Sequence, residues 1–283
     1  MEKIVSIVIL AWNNREDLEN CVNSVIEKTK IKYQLIIIDN NSQDSTIEYL
    51  FDLEKNWNNK NIIKVIYNKE NSGYARGNNL AIPYIEGKYV LFLNQDIVIT
   101  EQSIDKMVSF LEENLDYNAI APQLRYPDNR IQMSCRLLPT PKSMIGNYLK
   151  LSWDDSKNFD HTKNQECEQP MASAIMLNTK VFKEIGGFDD HKDYWLFFND
   201  VDLSKKLQVR NHKTYFLANI FMYHHHGAST KKLFNLKKQI YWHKGMIRYF
   251  RKWYCHNFLT IFLLYFLSGI SFIGLGLKDF VRK

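Results

Sequence analysis

A chain of 283 residues with 45% hydrophobic and 24% charged side chains can bury one large core, or one core with an appendage, and is too apolar to stay disordered. Its four cysteines, Cys21, Cys135, Cys167 and Cys255, form no Cys-x-x-Cys pair, which argues against a zinc cage or disulfide framework and for reduced thiols. The net charge of +6 conceals an asymmetry: the last 81 residues carry 15 Lys and Arg against one acid, and the first 202 carry 22 against 30. A basic end of that kind attracts phosphate, on nucleic acid, lipid headgroups or a lipid-linked diphosphate.

The chain opens Met1-Glu2-Lys3 and passes at once into a strand-like run, Ile4 to Leu10, with no charged leader or small-residue cleavage site, so the globular part is expected to stay inside the cell. Helix and strand patterns then alternate. A helix is expected over Arg15 to Glu27, a strand over Leu35 to Asp39, a helix over Asp44 to Leu53, a strand over Ile62 to Tyr67 and a helix over Tyr74 to Ile85. Tyr89 to Leu93 and Gln102 to Glu113 complete a fourth unit. This alternation predicts an α/β fold with a mostly parallel central sheet and helices on both faces, which gathers the strand ends, and with them Asn13, Asp39, Asn68 and Asp96, along one edge.

A strand follows at Ala119 to Leu124, and Pro139 to Gln169, rich in Pro, Asn, Asp and Ser, reads as a mobile loop or lid. Met171 to Leu177 resumes a strand, and Gly186-Gly187 makes a turn. Phe258 to Leu277 is a run of twenty residues without charge, preceded by Lys244, Arg248, Arg251 and Lys252 among Trp242, Tyr249, Phe250, Trp253 and Tyr254. That combination is expected to contact a membrane, as a span or as an interfacial hairpin, with the basic flank keeping the globular part on the cytoplasmic face. The competing reading is a buried helix pair that uses Gly269, Gly274 and Gly276 for close packing. The expected division is a catalytic domain, 1–230, and a membrane-association region, 231–283.

Five clusters carry chemistry. Asn94-Gln95-Asp96 ends an apolar strand, and a carboxylate there suits either a plain turn or a metal on a phosphate-bearing substrate at the sheet edge. Asp39 ends the second strand, placed to accept from a base N–H or a ribose hydroxyl, while Ser42 or Asp44 can cap the next helix. Asn71-Ser72-Gly73-Tyr74-Ala75-Arg76 opens a helix with backbone N–H groups and one guanidinium available to a pyrophosphate. Trp195-Leu196-Phe197-Phe198-Asn199-Asp200-Val201-Asp202 brings aromatics to two acids at a helix start, where the dipole favours ionised Asp200 as a proton acceptor. Of His224, His225 and His226 at a strand end, His224 is the candidate metal ligand.

Taken together these clusters resemble glycosyltransferase family 2, with its GT-A fold, and in particular its rhamnosyltransferase-like branch, over about Lys3 to Thr230. Ala11-Trp12-Asn13 stands where the family has its Thr-aromatic-Asn turn. Asp39 matches the acid that contacts the nucleotide base, and Gly73 through Asn79 the glycine-rich segment near the donor. Asn94-Gln95-Asp96 matches the Asp-x-Asp metal motif with its first acid replaced, Gly186-Gly187-Phe188-Asp189 the acceptor-side turn, and Asn199-Asp200-Val201-Asp202 the Glu-Asp-Val-Asp segment with Asp200 as base. His224 falls on the second metal ligand.

The resemblance implies inverting transfer of one sugar per visit from a nucleotide-sugar donor, dTDP-rhamnose or a UDP-hexose, in cell-wall or O-antigen polysaccharide synthesis. Ala11, Trp12, Asn13, Asp39, Asn71, Gly73, Arg76, Asn94 and Gln95 would line the donor, and Trp195, Asn199 and Asp202 the acceptor. Asp96 and His224 would hold Mg²⁺ or Mn²⁺. The acceptor would be a lipid-linked or polysaccharide glycan at the membrane surface; the uncharged run favours lipid over nucleic acid as the partner of the basic end. Two rivals remain open: a nucleotidyltransferase, which needs a glycine-rich basic loop where Ala11-Trp12-Asn13-Asn14 stands, and a degenerate membrane-bound sugar-nucleotide-binding protein without activity.

Overall fold

The computed structural model describes residues 4–57, 62–149, 159–225, 235–254, 259 and 261–270. Strands β1 (Val5–Ala11), β2 (Tyr33–Asp39), β3 (Ile63–Tyr67) and β4 (Tyr89–Asn94) pair in parallel in the order β3-β2-β1-β4. β1, β2 and β4 are buried almost throughout, as parallel strands covered on both faces must be. Register aligns Ala11 with Asp39 and Leu10 with Asn94, so three loops open at one edge.

Helices α1 (Arg15–Lys28), α2 (Thr46–Trp57) and α3 (Gly73–Asn79) are the crossovers. α1 buries Leu18, Cys21, Val22 and Val25, and α4 (Ser103–Glu113) buries Ile104, Met107, Val108 and Leu111; both follow the i, i+3, i+4, i+7 stripe and share one core with Ile7, Ile9 and Leu91. The opposite face of the sheet packs Ile36, Phe92, Phe182, Phe188 and Leu203.

Beyond β4 the sheet is mixed, where a mostly parallel one was expected. After β5 (Ile97–Ile99) come β6 (Tyr117–Arg125), β7 (Cys135–Arg136), α5 (Pro141–Tyr148), β8 (Gln165–Glu166), β9 (Gln169–Pro170) and β10 (Ala174–Asn178). Then follow α6 (Thr179–Glu184), α7 (Asn199–Gln208), β11 (Lys213–His224) and α8 (Asn235–Trp253). β10 inserts antiparallel between β4 and β6, β11 lies parallel to β6, and β5 closes the edge antiparallel to β11. Alternating patterns make each early βα unit cross over in parallel, but where a late strand inserts depends on long-range pairing that no local period encodes.

Two local expectations are corrected. The helix over Tyr74 to Ile85 stops at Asn79 and continues as a 3₁₀ turn at Ile82–Tyr84, since Pro83 has no N–H to extend an α-helix. The loop over Pro139 to Gln169 contains α5, started by a capping box in which Ser143 N donates to Thr140 Oγ1 (3.1 Å) and Thr140 N to Ser143 Oγ (3.0 Å), with Pro141 opening the first turn; residues 150–158 of this stretch lie outside the described ones. It also supplies β9, which pairs with β7.

α8 shares a third apolar cluster with α5 and the 194–198 segment: Met246, Tyr249 and Phe250 meet Met144, Tyr194 and Phe198. The segments on either side of the expected division at residue 230 thus pack on each other. Of the uncharged run, 258, 260 and 271–277 lie outside the described residues; 261–270 is helical, with Leu264 and Ser268 buried and Phe262, Phe266 and Ile270 facing solvent. No helix among the described residues is long and apolar enough to cross a membrane.

Candidate active site

The antiparallel pairing of β11 with β5 sets His224 opposite Ile97 and so beside Asp96, 128 positions earlier. His224 Nε2 lies 3.3 Å from Asp96 Oδ1 with both side chains buried, and His225 N donates to the Asp96 carbonyl (3.0 Å). Gln132 fixes the imidazole from behind: its Nε2 donates to the His224 carbonyl (2.8 Å), so its Oε1, 2.9 Å from Nδ1, accepts the Nδ1 proton. With Nδ1 engaged by Gln132, Nε2 is the ring nitrogen presented to the Asp96 carboxylate, where a cation could be shared between the two. A buried carboxylate and an imidazole with a fixed outer partner fit Mg²⁺ or Mn²⁺, hard cations that take the rest of their oxygen ligands from water and phosphate. Among the described residues no third His, Cys, Asp or Glu joins them.

Asp200 sits in the first turn of α7, whose start is set by Phe198 in the left-handed region (φ 66°). Val201 N donates to its Oδ1 (2.9 Å) and Gln169 Nε2, from β9, to its Oδ2 (3.2 Å). Burial pushes the carboxyl above its ordinary value, and the Arg136 guanidinium and backbone donors pull it part of the way back. The result is a carboxylate of increased basicity, as a proton acceptor requires.

Neutral amides organise the facing wall. Asn40, buried at the end of β2, accepts at Oδ1 from Asn68 Nδ2 (3.0 Å) and Ser72 N (3.1 Å), and its Nδ2 donates to Asn71 Oδ1 (3.0 Å). Gly73 adopts φ 80°, and a Cβ there would stand 2.4 Å from the Trp195 carbonyl, which already accepts from Tyr74 N (2.9 Å). Trp195 Nε1 donates to the Asn71 carbonyl (3.3 Å), so the glycine turn and the segment before Asp200 are built on each other.

A cavity of about 440 Å³ joins these parts. Of the sequence candidates, Trp12, Asn71, Gly73, Asn94, Gln95, Asp96, Trp195, Asn199, Asp200 and His224 line it. Five others stand behind the wall or outside it. Ala11 is buried in β1, and Asn13 bridges loops, accepting from Gln43 N (2.7 Å) while its own N–H donates to Ser42 Oγ (2.8 Å). Asp39 accepts from Ser42 N (3.2 Å), its carboxyl raised by burial against the lowering effect of the Ser42 hydroxyl and nearby N–H donors. Arg76 is exposed and pairs with Glu70 (3.3 Å). Asp202 is fully buried away from the cavity. Gln95 does line it, yet its side chain is occupied in clamping the first loop, accepting from Trp12 N (2.8 Å) and donating to the Asn13 carbonyl (2.8 Å).

Asp202 instead anchors α8. Lys252 Nζ donates to both of its oxygens (2.8 Å each) and to Asp189 Oδ2 (2.7 Å), and Trp253 Nε1 (2.8 Å) and Tyr194 OH (3.2 Å) also donate to Asp202 Oδ1. Burial works to raise the Asp189 carboxyl, but the Lys252 ammonium and the His191 N–H hold it below its ordinary value. Asp189 of the Gly-Gly-Phe-Asp turn and Asp202, two residues after Asp200, are therefore anchors for α8 in this chain.

Sequence reasoning passed over Asn40, Tyr74, Gln169, Phe197 and Lys238. Asn40 adjoins Asp39, and strand alternation alone could have pointed it the other way. Lys238 and Gln169 come from segments with no motif.

Comparison with known proteins converges on one family. The pattern of Glycosyl transferase family 2 matches residues 6–186. The putative teichuronic acid biosynthesis glycosyltransferase TuaG of Bacillus subtilis is 33% identical over 110 residues, 39% of this chain and 42% of that protein. The O-antigen biosynthesis protein RfbC of Myxococcus xanthus is 24% identical over 229 residues, 79% of this chain and 17% of that protein. The chain thus spans less than half the length of either relative. Among solved structures, the mannosyltransferase PcManGT of Pyrobaculum calidifontis, in complex with GDP-Man and Mn²⁺, superposes with a TM-score of 0.61 at 13% identity, over 89% of this chain and 64% of that one. The fold is GT-A-like, with a mixed central sheet and flanking helices.

Proposed function

The chain belongs to glycosyl transferase family 2, and from that premise we propose that it transfers a sugar, with inversion, from a nucleotide-diphosphate donor to a hydroxyl of a growing cell-surface glycan. One observation carries the reading: a single cavity holds the buried Asp96–His224 pair on one side and a carboxylate of raised basicity, Asp200, on the other. Asp200 accepts the proton of the acceptor hydroxyl, whose oxygen forms the new bond to the anomeric carbon as the bond from that carbon to the diphosphate oxygen breaks. Gln169 and Val201 N hold the carboxylate toward the hydroxyl. Asp96 and His224 would hold Mg²⁺ or Mn²⁺, which when bound supplies positive charge against the leaving diphosphate. Trp12, Tyr74 and Trp195 give the aromatic faces on which sugar and base stack and exclude water.

The relatives' teichuronic acid and O-antigen roles support a cell-surface polysaccharide as the product. dTDP-rhamnose or a UDP-hexose is the proposed donor, the first from the sequence resemblance to the rhamnosyltransferase-like branch. The outward side chains Phe262, Phe266 and Ile270, close in sequence to basic α8, support contact of the 231–283 region with the cytoplasmic face of a membrane, where a lipid-linked acceptor would be met. Incubating the purified chain with a panel of sugar nucleotides and Mn²⁺ tests the function: release of nucleoside diphosphate from one donor, abolished in D200N while that donor still binds, is expected. Binding without any release, with or without acceptor extracts, would reduce the protein to a sugar-nucleotide-binding one.

A further inference from the structure

Asp96 and Asp200 bring negative charge to the cavity, and among the described lining residues one permanent cation faces them: Lys238, from the second turn of α8. Its placement is fixed by the helix face it shares with Tyr241, Trp242 and Gly245, at the i, i+3, i+4 and i+7 positions. Tyr241 stacks on Trp195 with ring centroids 4.6 Å apart, and Trp242 meets Phe198 edge to face at 5.6 Å. A Cβ at position 245 would stand 2.8 Å from the Phe197 carbonyl, so only glycine lets the helix come this close. The Lys252–Asp202–Asp189 cluster pins the far end. Four contacts along the helix thus leave its first turns no freedom to slide, and Lys238 reaches the cavity beside Trp195. Lys238 is half-buried and forms no ion pair among the described residues. Lys237, its neighbour, faces solvent.

A half-buried lysine with no ion pair among the described residues, lining a cavity whose other charges among those residues are carboxylates, suits an anionic ligand. We propose that Lys238 forms a phosphate-recognition subsite through which α8 completes the active site. It takes a phosphate of the donor's diphosphate or a phosphate carried by the acceptor next to the attacked hydroxyl. The proposal rests on the transferase reading above.

Calorimetry separates the two sources. Wild type, K238A, K238R and K237A are titrated with UDP, dTDP and GDP in the presence of Mn²⁺, and then with glycerol 3-phosphate in the presence of the nucleoside diphosphate that binds. Loss of one charge-assisted contact is expected to weaken one of the two phosphates by about tenfold in K238A, with K238R retaining most of the affinity and K237A all of it. An effect on the nucleoside diphosphate assigns the subsite to the donor, and one confined to glycerol 3-phosphate assigns it to the acceptor. Unchanged thermal unfolding of K238A confirms that the site and not the fold was altered. If K238A binds both probes as wild type does, the subsite is overturned while the transferase reading stands. If wild type binds no nucleoside diphosphate, both fall.

Discussion

On the proposed donor wall the cavity side of the loops after β1, β2 and β3 is built from neutral amides, Asn40, Asn71 and Gln95, with the Asp39 and Asp44 carboxylates engaged by backbone N–H groups outside the cavity lining, whereas the proposed acceptor wall is held by buried charge, Asp202 and Asp189 around Lys252 and Arg248. The difference follows from what each wall must do. A wall that receives a nucleotide diphosphate gains from rigid dipoles that bring no net charge of their own, since a second set of carboxylates there would repel the ligand. A wall that carries a base needs a carboxylate with raised basicity next to a rigid scaffold, and a cluster of two acids paired with Lys252 and Arg248 supplies the rigidity.

The largest expected effect is on the charged wall. D200N is expected to lower kcat for transfer by roughly 10²–10⁴-fold with donor affinity kept, measured by steady-state kinetics and by binding of the donor. A drop in donor affinity equal to the drop in rate would show that the two walls are not separable.

Next comes the scaffold behind Asp200. K252A leaves Asp202 buried without its main counter-charge and is expected to cost about 3–5 kcal/mol in urea unfolding. Stability within error of wild type would show that α8 is held by apolar packing alone.

The amide wall should respond more weakly. N40A removes a neutral hub and is expected to cost about 1–3 kcal/mol by the same measurement, with its functional effect confined to donor KM. G73A forces a Cβ against the Trp195 carbonyl in a left-handed backbone, for about 1–2 kcal/mol. Because that turn is built on the acceptor segment, G73A is the one donor-wall change expected to raise the KM of both substrates.

The smallest effect is on pH dependence. In the proposed reaction Asp200 acts ionised, and burial raises its carboxyl, so activity is expected to be lost on acidification at a higher pH than for an ordinary carboxylate near 3.9. Arg136 opposes that shift, so R136A should move the acid limb of the kcat profile further up. A limb moving down would mean that Asp200 does not report the titration.

Much of the donor half was legible from residue order. Alternating strands and helices, with polar residues where each strand ends, are local patterns, and they placed Asn13, Asp39, Asn68 and Asp96 near one edge because each βα crossover is short and handed. The pairing of Asp96 with His224 could be read only by resemblance, since it depends on β11 lying against β5. Arg76 and Asp202 were carried into the site by their motifs, and the fold turned both away. On a helix, residues two apart differ by about 200° in direction, so Asp200 and Asp202 cannot face the same cavity.

The sequence by itself determined the elements, the apolar stripes of α1 and α4, and which acids end strands or open helices, because these follow from periodicity and dihedral preference over a few residues. Only the tertiary structure decided that β10 inserts antiparallel, that Asn40 and not Asp39 lines the cavity, and that α8 returns to add Lys238 beside Trp195. Those outcomes depend on contacts between residues scores of positions apart, selected by the burial of whole faces and by close approach at Gly73 and Gly245, and a one-dimensional pattern carries no record of them.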